Sequence, residues 1–322
     1  MPITRRSALG VAALLLAPHA ASAQDFPTRA LRLIPPYPPG GGTDTVARLL
    51  VPHMTARLGQ NIVVENRGGA GGSIGAAEVA RAAPDGHTLL LDAMGHVVNA
   101  TLMQGLPFDY ATAFAPITQL TLQPQMLVVP AASPFTTLAA LIAAAKDKPG
   151  TLSIASSGNG SGAHLAAVEL MRLAGIELIH VPYRGGGPAM TDLVAGNVAM
   201  AFASASAATA HVQGGRLRAL GAAGKARIGA FPAMPTLAEQ GVTGYDFDEW
   251  NGLWTVAGTP PSAIAKLHEA TLFALAQPDV TARFAQIGIV AVGSPQAEFA
   301  AFVVAQRERA ARLIRDANIT LG

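Results

Sequence analysis

Cysteine is absent from the 322-residue chain, which excludes disulfides and thiolate metal sites alike. Histidines are few, none of them pair at i, i+4, and no cluster of carboxylates accompanies them, so no metal site is expected. An excess of charge is also missing. The chain carries 22 Lys+Arg against 20 Asp+Glu, and Arg5 and Arg6 alone account for the difference. Without a clustered basic surplus, neither nucleic acid nor an anionic membrane is expected as a partner. Beyond the N-terminal segment no apolar run is long enough to span a bilayer, and no internal repeat or low-complexity tract interrupts the chain.

The N-terminal segment "MPITRRSALGVAALLLAPHAASAQ" combines a basic start, an apolar run from Ala8 to Ala17 and the small residues Ala21-Ser22-Ala23. That order marks an export signal, residues 1–23, cleaved near Ala23. Arg5 and Arg6 after Thr4 suit the twin-arginine route, whereas Ala8 and Gly10 depart from its usual pattern, so the choice between the general and twin-arginine routes stays open. The expected mature protein is an exported periplasmic one, formally neutral, of a length that usually splits into two domains.

Short β-like runs alternate with segments of helical period. Strands are expected at Leu31–Ile34, Ile62–Glu65, Thr88–Asp92, Ile117–Leu120, Met126–Val129, Leu152–Ala155, Leu178–Val181, Val198–Phe202, Leu217–Leu220 and Leu253–Val256. Helices are expected at Asp44–Leu58, Ser73–Ala82, Thr137–Lys146, His164–Leu173, Ala189–Ala195, Ser262–Ala276, Asp279–Gln286 and after Ser294. Ser294 is predicted as N-cap to a helix opening on Pro295, and Pro52 is predicted to bend the first helix. This alternation implies an α/β protein with parallel-rich sheets flanked by helices. "TQLTLQPQ" (118–125) and "GVTGYDFDEWNG" (241–252) read as crossings between lobes. The implied division is residues 24–122 with 248–322 in lobe 1 and 123–247 in lobe 2, around a hinged cleft.

Three glycine-rich loops each follow a strand and open a helix: "PPYPPGGGTD" (35–44), "ENRGGAGGSIG" (65–75) and "ASSGNGSGAH" (155–164). A helix N-terminus offers unpaired N–H groups and partial positive charge, and glycines let an anion reach them. Strand C-terminal edges of open α/β sheets face one crevice, so the three loops are expected around one site. Two loops imitate enzyme motifs. Gly71-Gly72-Ser73-Ile74-Gly75 satisfies G-x-S-x-G, but Ser73 stands too far from the preceding strand for a nucleophile elbow and lacks evident acid and histidine partners. Gly158 to Ala163 satisfies G-x-G-x-x-A with Glu177 downstream, a weak dinucleotide pattern in an exported protein. The first loop has no P-loop lysine. Asp44 is read as structural and Thr43 as the ligand-side group; His164 either donates to a ligand or braces its loop, and His96 in "DAMGHVVN" is placed at the cleft border. His53, His180, His211 and His268 show no partner spacing.

In order along nearly the whole mature sequence, the stretches "YPPGGGTDTVARLL", "LGQNIVVENRGGAGGSIGAAEVARAAPDGHTLL", "FAPITQL", "ASSGNGSGAHLAAVELMRLAG", "HVPYRGGGPAMTDLVAGNVAMAF", "GRLRALG" and "FPAMPTLAEQGVTGYDFDEWNGLWTVAGTP" resemble the substrate-binding receptors of tripartite tricarboxylate transporters, the TctC or Bug family. The resemblance implies a two-lobed periplasmic-binding fold of type II, no enzymatic activity, no cofactor, a monomer, a small carboxylate as ligand and integral-membrane permease subunits as partners. Backbone N–H groups of Gly40, Gly41, Gly42 and Thr43 would face those of Ala70, Gly71, Gly72 and Ser73 across one ligand carboxylate, with Tyr37 as a wall. The second lobe would contribute Ser156, Ser157, Gly158, Ser161 and His164, then Phe202, Ala203 and Ser204. Where many relatives carry Asp-Asn after Phe202, this chain has Ala203-Ser204, which favours a plain organic acid over an amino acid. The rival readings are an exported hydrolase using Ser73 and a ligand sensor for a membrane signalling protein.

Overall fold

A computed structural model describes residues 26–320. The expected export segment, with Arg5 and Arg6, lies outside the described residues. The elements follow in order as β1 (Leu31–Ile34), α1 (Gly42–Leu58), β2 (Ile62–Val64), α2 (Ser73–Ala80), β3 (Thr88–Asp92), α3 (Gly95–Leu102), β4 (Phe114–Gln123), β5 (Gln125–Pro130), α4 (Leu138–Asp147), β6 (Ser153–Ser156) and α5 (Gly162–Ala174). They continue as β7 (Ile179–Pro182), α6 (Gly186–Ala195), β8 (Met200–Ser204), α7 (Ala205–Gln213), β9 (Leu217–Ala222), β10 (Glu249–Val256), α8 (Pro261–Leu275), α9 (Pro278–Gln286), β11 (Val290–Ala291) and α10 (Gln296–Asp316).

Two sheets form, in the orders β11-β4-β10-β3-β1-β2 and β7-β6-β8-β5-β9. Each is mixed rather than mainly parallel. The βα units pair in parallel, β1 with β2 and β3, and β6 with β7 and β8. The strands at the crossings pair antiparallel: β10 with β3 and β4, and β5 with β8 and β9. Pro124 alone separates β4 from β5, and so the chain leaves one sheet and enters the other within a residue.

Apolar runs without alternation explain why both sheets are covered twice. Leu89 and Leu91 of β3 join one core layer with α1 and α8 residues, while Leu90 points into another with Trp254 and Val97. That second layer is continuous from Ile34 and Leu90 of the first sheet to Leu127, Ile154 and Met200 of the second. Helix α10 lies across the seam, and Arg309 on it ion-pairs with Glu169 of α5 at 2.9 Å. No described helix is long and apolar enough to cross a membrane.

Helix α1 runs unbroken through Pro52. Ser294 does not cap α10: Pro295 occupies the N-cap position. The Ser294 hydroxyl instead accepts from the Gln119 N–H at 3.1 Å, and its carbonyl from the Thr118 hydroxyl at 2.7 Å, tying the helix entry to β4.

Candidate functional site

Helix α1 starts without a side-chain cap. Gly41 at its N-cap has φ −76° and ψ 173°, and no side chain satisfies the first N–H groups. Asp44 does not fill that role. It is 3% exposed, and its Oδ2 accepts from the Gly40 N–H and the Arg48 guanidinium, both at 2.9 Å. Burial opposes its charge, yet the Arg48 and Gly40 hydrogen bonds outweigh this and hold its carboxyl below the usual aspartate range. Asp44 therefore pins the loop rather than facing a ligand.

The second loop takes its shape from four successive residues with positive φ: Gly69 at 125°, Ala70 at 44°, Gly71 at 60° and Gly72 at 97°. Only glycine adopts this region freely, and Ala70 is held there by its neighbours. The turn delivers Ala70 and Gly71 beside the first loop. The Asn99 amide donates to the Gly71 carbonyl at 2.8 Å and fixes it. Tyr37 is fixed from the same side, its hydroxyl donating to Asp92 Oδ1 at 2.9 Å. A Cβ at Gly95 would overlap that hydroxyl, so α3 must open on glycine for Tyr37 to seat.

In the third loop, Ser161 caps α5, accepting from the His164 N–H at 3.3 Å. The His164 ring accepts from the Gly160 N–H through Nδ1 at 3.1 Å and stacks on His180 with centroids 3.7 Å apart. Burial, and then the facing His180 ring, push His164 down to about 4, so it is neutral at pH 7 and braces the loop. His180, bland in the sequence, also holds the Ser156 hydroxyl at 2.6 Å.

These loops surround one cavity of about 840 Å³ between the two sheets. Of the residues expected there, Tyr37, Gly41, Gly42, Thr43, Ala70, Gly71, Ser157 and Ser161 line it. Ser156, Phe202, Ala203 and Ser204 line a smaller adjoining cavity instead. Gly40, Gly72, Ser73, Gly158 and His164 line neither cavity. His96 is displaced furthest from its expected place at the cleft border. It is 1% exposed, stacked on Trp254 at 4.1 Å, with Asp92 3.5 Å away, because it points from α3 into the aromatic core.

The cavity also recruits side chains that the loop motifs do not announce: Gln123 at the end of β4, and Glu249, Trp250 and Asn251 at the start of β10. The Gln123 amide donates to Asn251 Oδ1 at 2.5 Å, and the Asn251 amide donates to the Thr43 hydroxyl at 3.4 Å. For Gln123 the available signal was its place at the carboxyl end of β4, since carboxyl ends of strands in such folds face the crevice; β10 runs antiparallel to β3 and β4 and brings its start to the same edge. Among the described residues, no Lys, Arg or His lines the cavity, and Glu249 is its only acid. Burial lifts Glu249 above the usual glutamate range, with a hydrogen bond from Gln125 opposing the rise.

Residues 46–319 match the family model described as tripartite tricarboxylate transporter family receptor. A Pseudomonas sp. (strain P51) protein encoded in the tcbD-tcbE intergenic region is 38% identical over 316 residues, 97% of this chain and 94% of that protein. Protein BugT of Bordetella pertussis is 34% identical, covering 93% of each chain. Among solved structures, MatC from Rhodopseudomonas palustris with bound malate superposes with a TM-score of 0.77 at 32% identity, over 90% of this chain and 100% of that one. The R. palustris protein Rpa4515 with adipate gives 0.80 at 30% identity, over 92% and 99%. The chain belongs to the tripartite tricarboxylate transporter receptor family.

Proposed function

We propose that this protein is a periplasmic receptor that captures a small carboxylate between its two lobes and delivers it to the membrane permease of a tripartite transporter. The reading rests chiefly on the uncapped start of α1 and the positive-φ turn at Ala70–Gly71, which border one cavity free of basic side chains. Backbone N–H groups then supply the attraction. Hydrogen bonds to a charged carboxylate contribute about 1.5–3 kcal/mol each. Four or five of them suffice for micromolar affinity, about 8 kcal/mol, after the entropic cost of association.

Lobe 1 comprises residues 24–122 and 248–322, lobe 2 comprises 123–247, and the export segment is removed near Ala23. Ligand held on lobe 1 shifts the population toward the closed state, in which both lobes make contact, and the closed monomer docks on the permease. No cofactor or chemical step is involved. Support for capture over hydrolysis comes from Ser73, 5% exposed at the start of α2 and outside the cavity lining. Heating ligand-stripped protein with a panel of carboxylates, and incubating it with generic esters, tests the assignment. Carboxylate stabilisation without ester turnover is expected; turnover abolished by Ser73→Ala would overturn it.

A further inference from the structure

A smaller cavity of about 220 Å³ opens off the main one, the two sharing Ser157, Gly186 and Glu249 in their linings. Its walls are methyl-rich, formed by Ala155, Ala201, Ala203 and Phe202. Two polar groups in it stand out. Gln125 is 2% exposed, and its Oε1 has no hydrogen-bond partner. Glu249 projects from β10 of the first sheet to the start of α5 beside the second, where a Cβ on Gly162 would overlap its carboxyl. Of the hydroxyls in the lining, Ser156 is engaged with Gly158 and His180 and Ser204 with Ser206, while Ser157 lies where the two cavities join. Glu249 and Tyr37 are the only titratable groups lining either cavity among the described residues.

The chamber thus offers a carboxylate and an unsatisfied amide oxygen, both acceptors, and no cation to balance them. Burial already disfavours the Glu249 charge and a ligand carrying only carboxylates would disfavour it further, while a buried acceptor without a donor is costly to maintain. Both conditions are met by a ligand that brings positive charge and N–H donors to this spot. Resting on the receptor reading above, we propose that the chamber is a second ligand subsite that selects an ammonium group. The ligand is a small carboxylate with an ammonium at its far end. Its carboxylate lies on the Gly41 and Gly71 loops, and its ammonium between the Glu249 carboxylate and Gln125 Oε1. The acid absent at Ala203 is supplied from β10 instead, which reverses the preference for a plain organic acid drawn from Ala203-Ser204 alone.

Calorimetric titration of ligand-stripped protein with hexanoate, adipate and 6-aminohexanoate, and with butyrate, succinate and 4-aminobutyrate, tests this. In at least one length series the amino acid is expected to bind at least tenfold more tightly than the alkanoate and more tightly than the dicarboxylate. Glu249→Gln should collapse that amino-to-alkanoate preference at least tenfold, and Gln125→Leu at least threefold. A dicarboxylate or alkanoate that binds as well as the amino compound in both series, or a preference unchanged in both variants, would overturn the subsite. In that outcome carboxylate binding persists and the receptor reading stands. Absence of binding by every carboxylate tested would count against both.

Discussion

Asp44 sets a local contradiction, an acid in the first turn of a helix whose N-terminus faces the proposed anion site, and its geometry resolves it. By turning back to the Gly40 N–H and Arg48 it neutralises itself and stiffens the loop, leaving the N–H groups beyond Gly41 free. Tyr37 is governed by similar logic. Its hydroxyl is the donor that Asp92 Oδ1 receives from outside its own turn, and Asp92 Oδ2 already has no partner. Tyr37→Phe should therefore destabilise the fold by about 1–3 kcal/mol in urea unfolding, the cost of a buried acceptor left short of a donor. A change below about 0.5 kcal/mol, typical of surface substitutions, would show that the Tyr37–Asp92 bond does not anchor the wall. The role of Asp44 was legible from its place in the first turn. That of Glu249 was not, because it lies in an aromatic-rich stretch whose residues gave no spacing signal, and only the pairing of β10 carries it into the cleft.

At the scale of elements, stacking of His164 on His180 couples α5 to β7 and makes the third loop sensitive to acid. His164 titrates near 4 in the fold, against 6.5 for an ordinary histidine. Between those values the unfolded chain binds the extra proton, so stability falls as pH drops from above 6.5 toward 4. At pH 5 this one group removes about 2 kcal/mol. His164→Asn keeps an acceptor for the Gly160 N–H but cannot protonate. Its melting temperature should fall less between pH 7 and pH 5 than that of the wild-type protein; parallel falls would show that His164 is not held neutral. The apolar strands Leu31–Ile34 and Thr88–Asp92 were readable to the residue because their runs are continuous and bounded by turn residues. Helices α3 and α7 were not anticipated. In α3 the valines of "GHVVNATL" favour strands, while "ASAATAHVQ" in α7 has too few large apolar residues to show a period. Ser294 was misread as a cap because its hydroxyl serves β4 across a sequence gap that no local pattern reveals.

For the whole molecule, the seam between sheets decides how the cleft works. The chain crosses at Pro124 and returns at β10, and the second crossing carries Glu249, Trp250 and Asn251 into the cavity. The same strand that joins the two sheets thus lines the proposed ligand space, and in the proposed receptor this would link occupancy to lobe position without any separate relay. Two lobes and three glycine-rich loops were foreseeable from alternating strands and helices; the antiparallel character of the crossing strands was not, since strand direction depends on partners distant in sequence. The central claim is that backbone N–H groups at the start of α1 hold a ligand carboxylate. Gly41 is the place to test it, because its φ of −76° suits any residue and an added Cβ meets only the Pro38 carbonyl, at 3.5 Å. A valine there should fold normally while its branches obstruct the approach to the N–H groups. The direct measurement is calorimetric titration of ligand-stripped wild-type and Gly41→Val protein with carboxylates and their neutral amide counterparts. Micromolar binding of a carboxylate, at least a hundredfold weaker binding of its amide, and loss of binding in Gly41→Val with an unchanged melting temperature are predicted. Equal affinity for carboxylate and amide, or undiminished binding in Gly41→Val, would contradict the account.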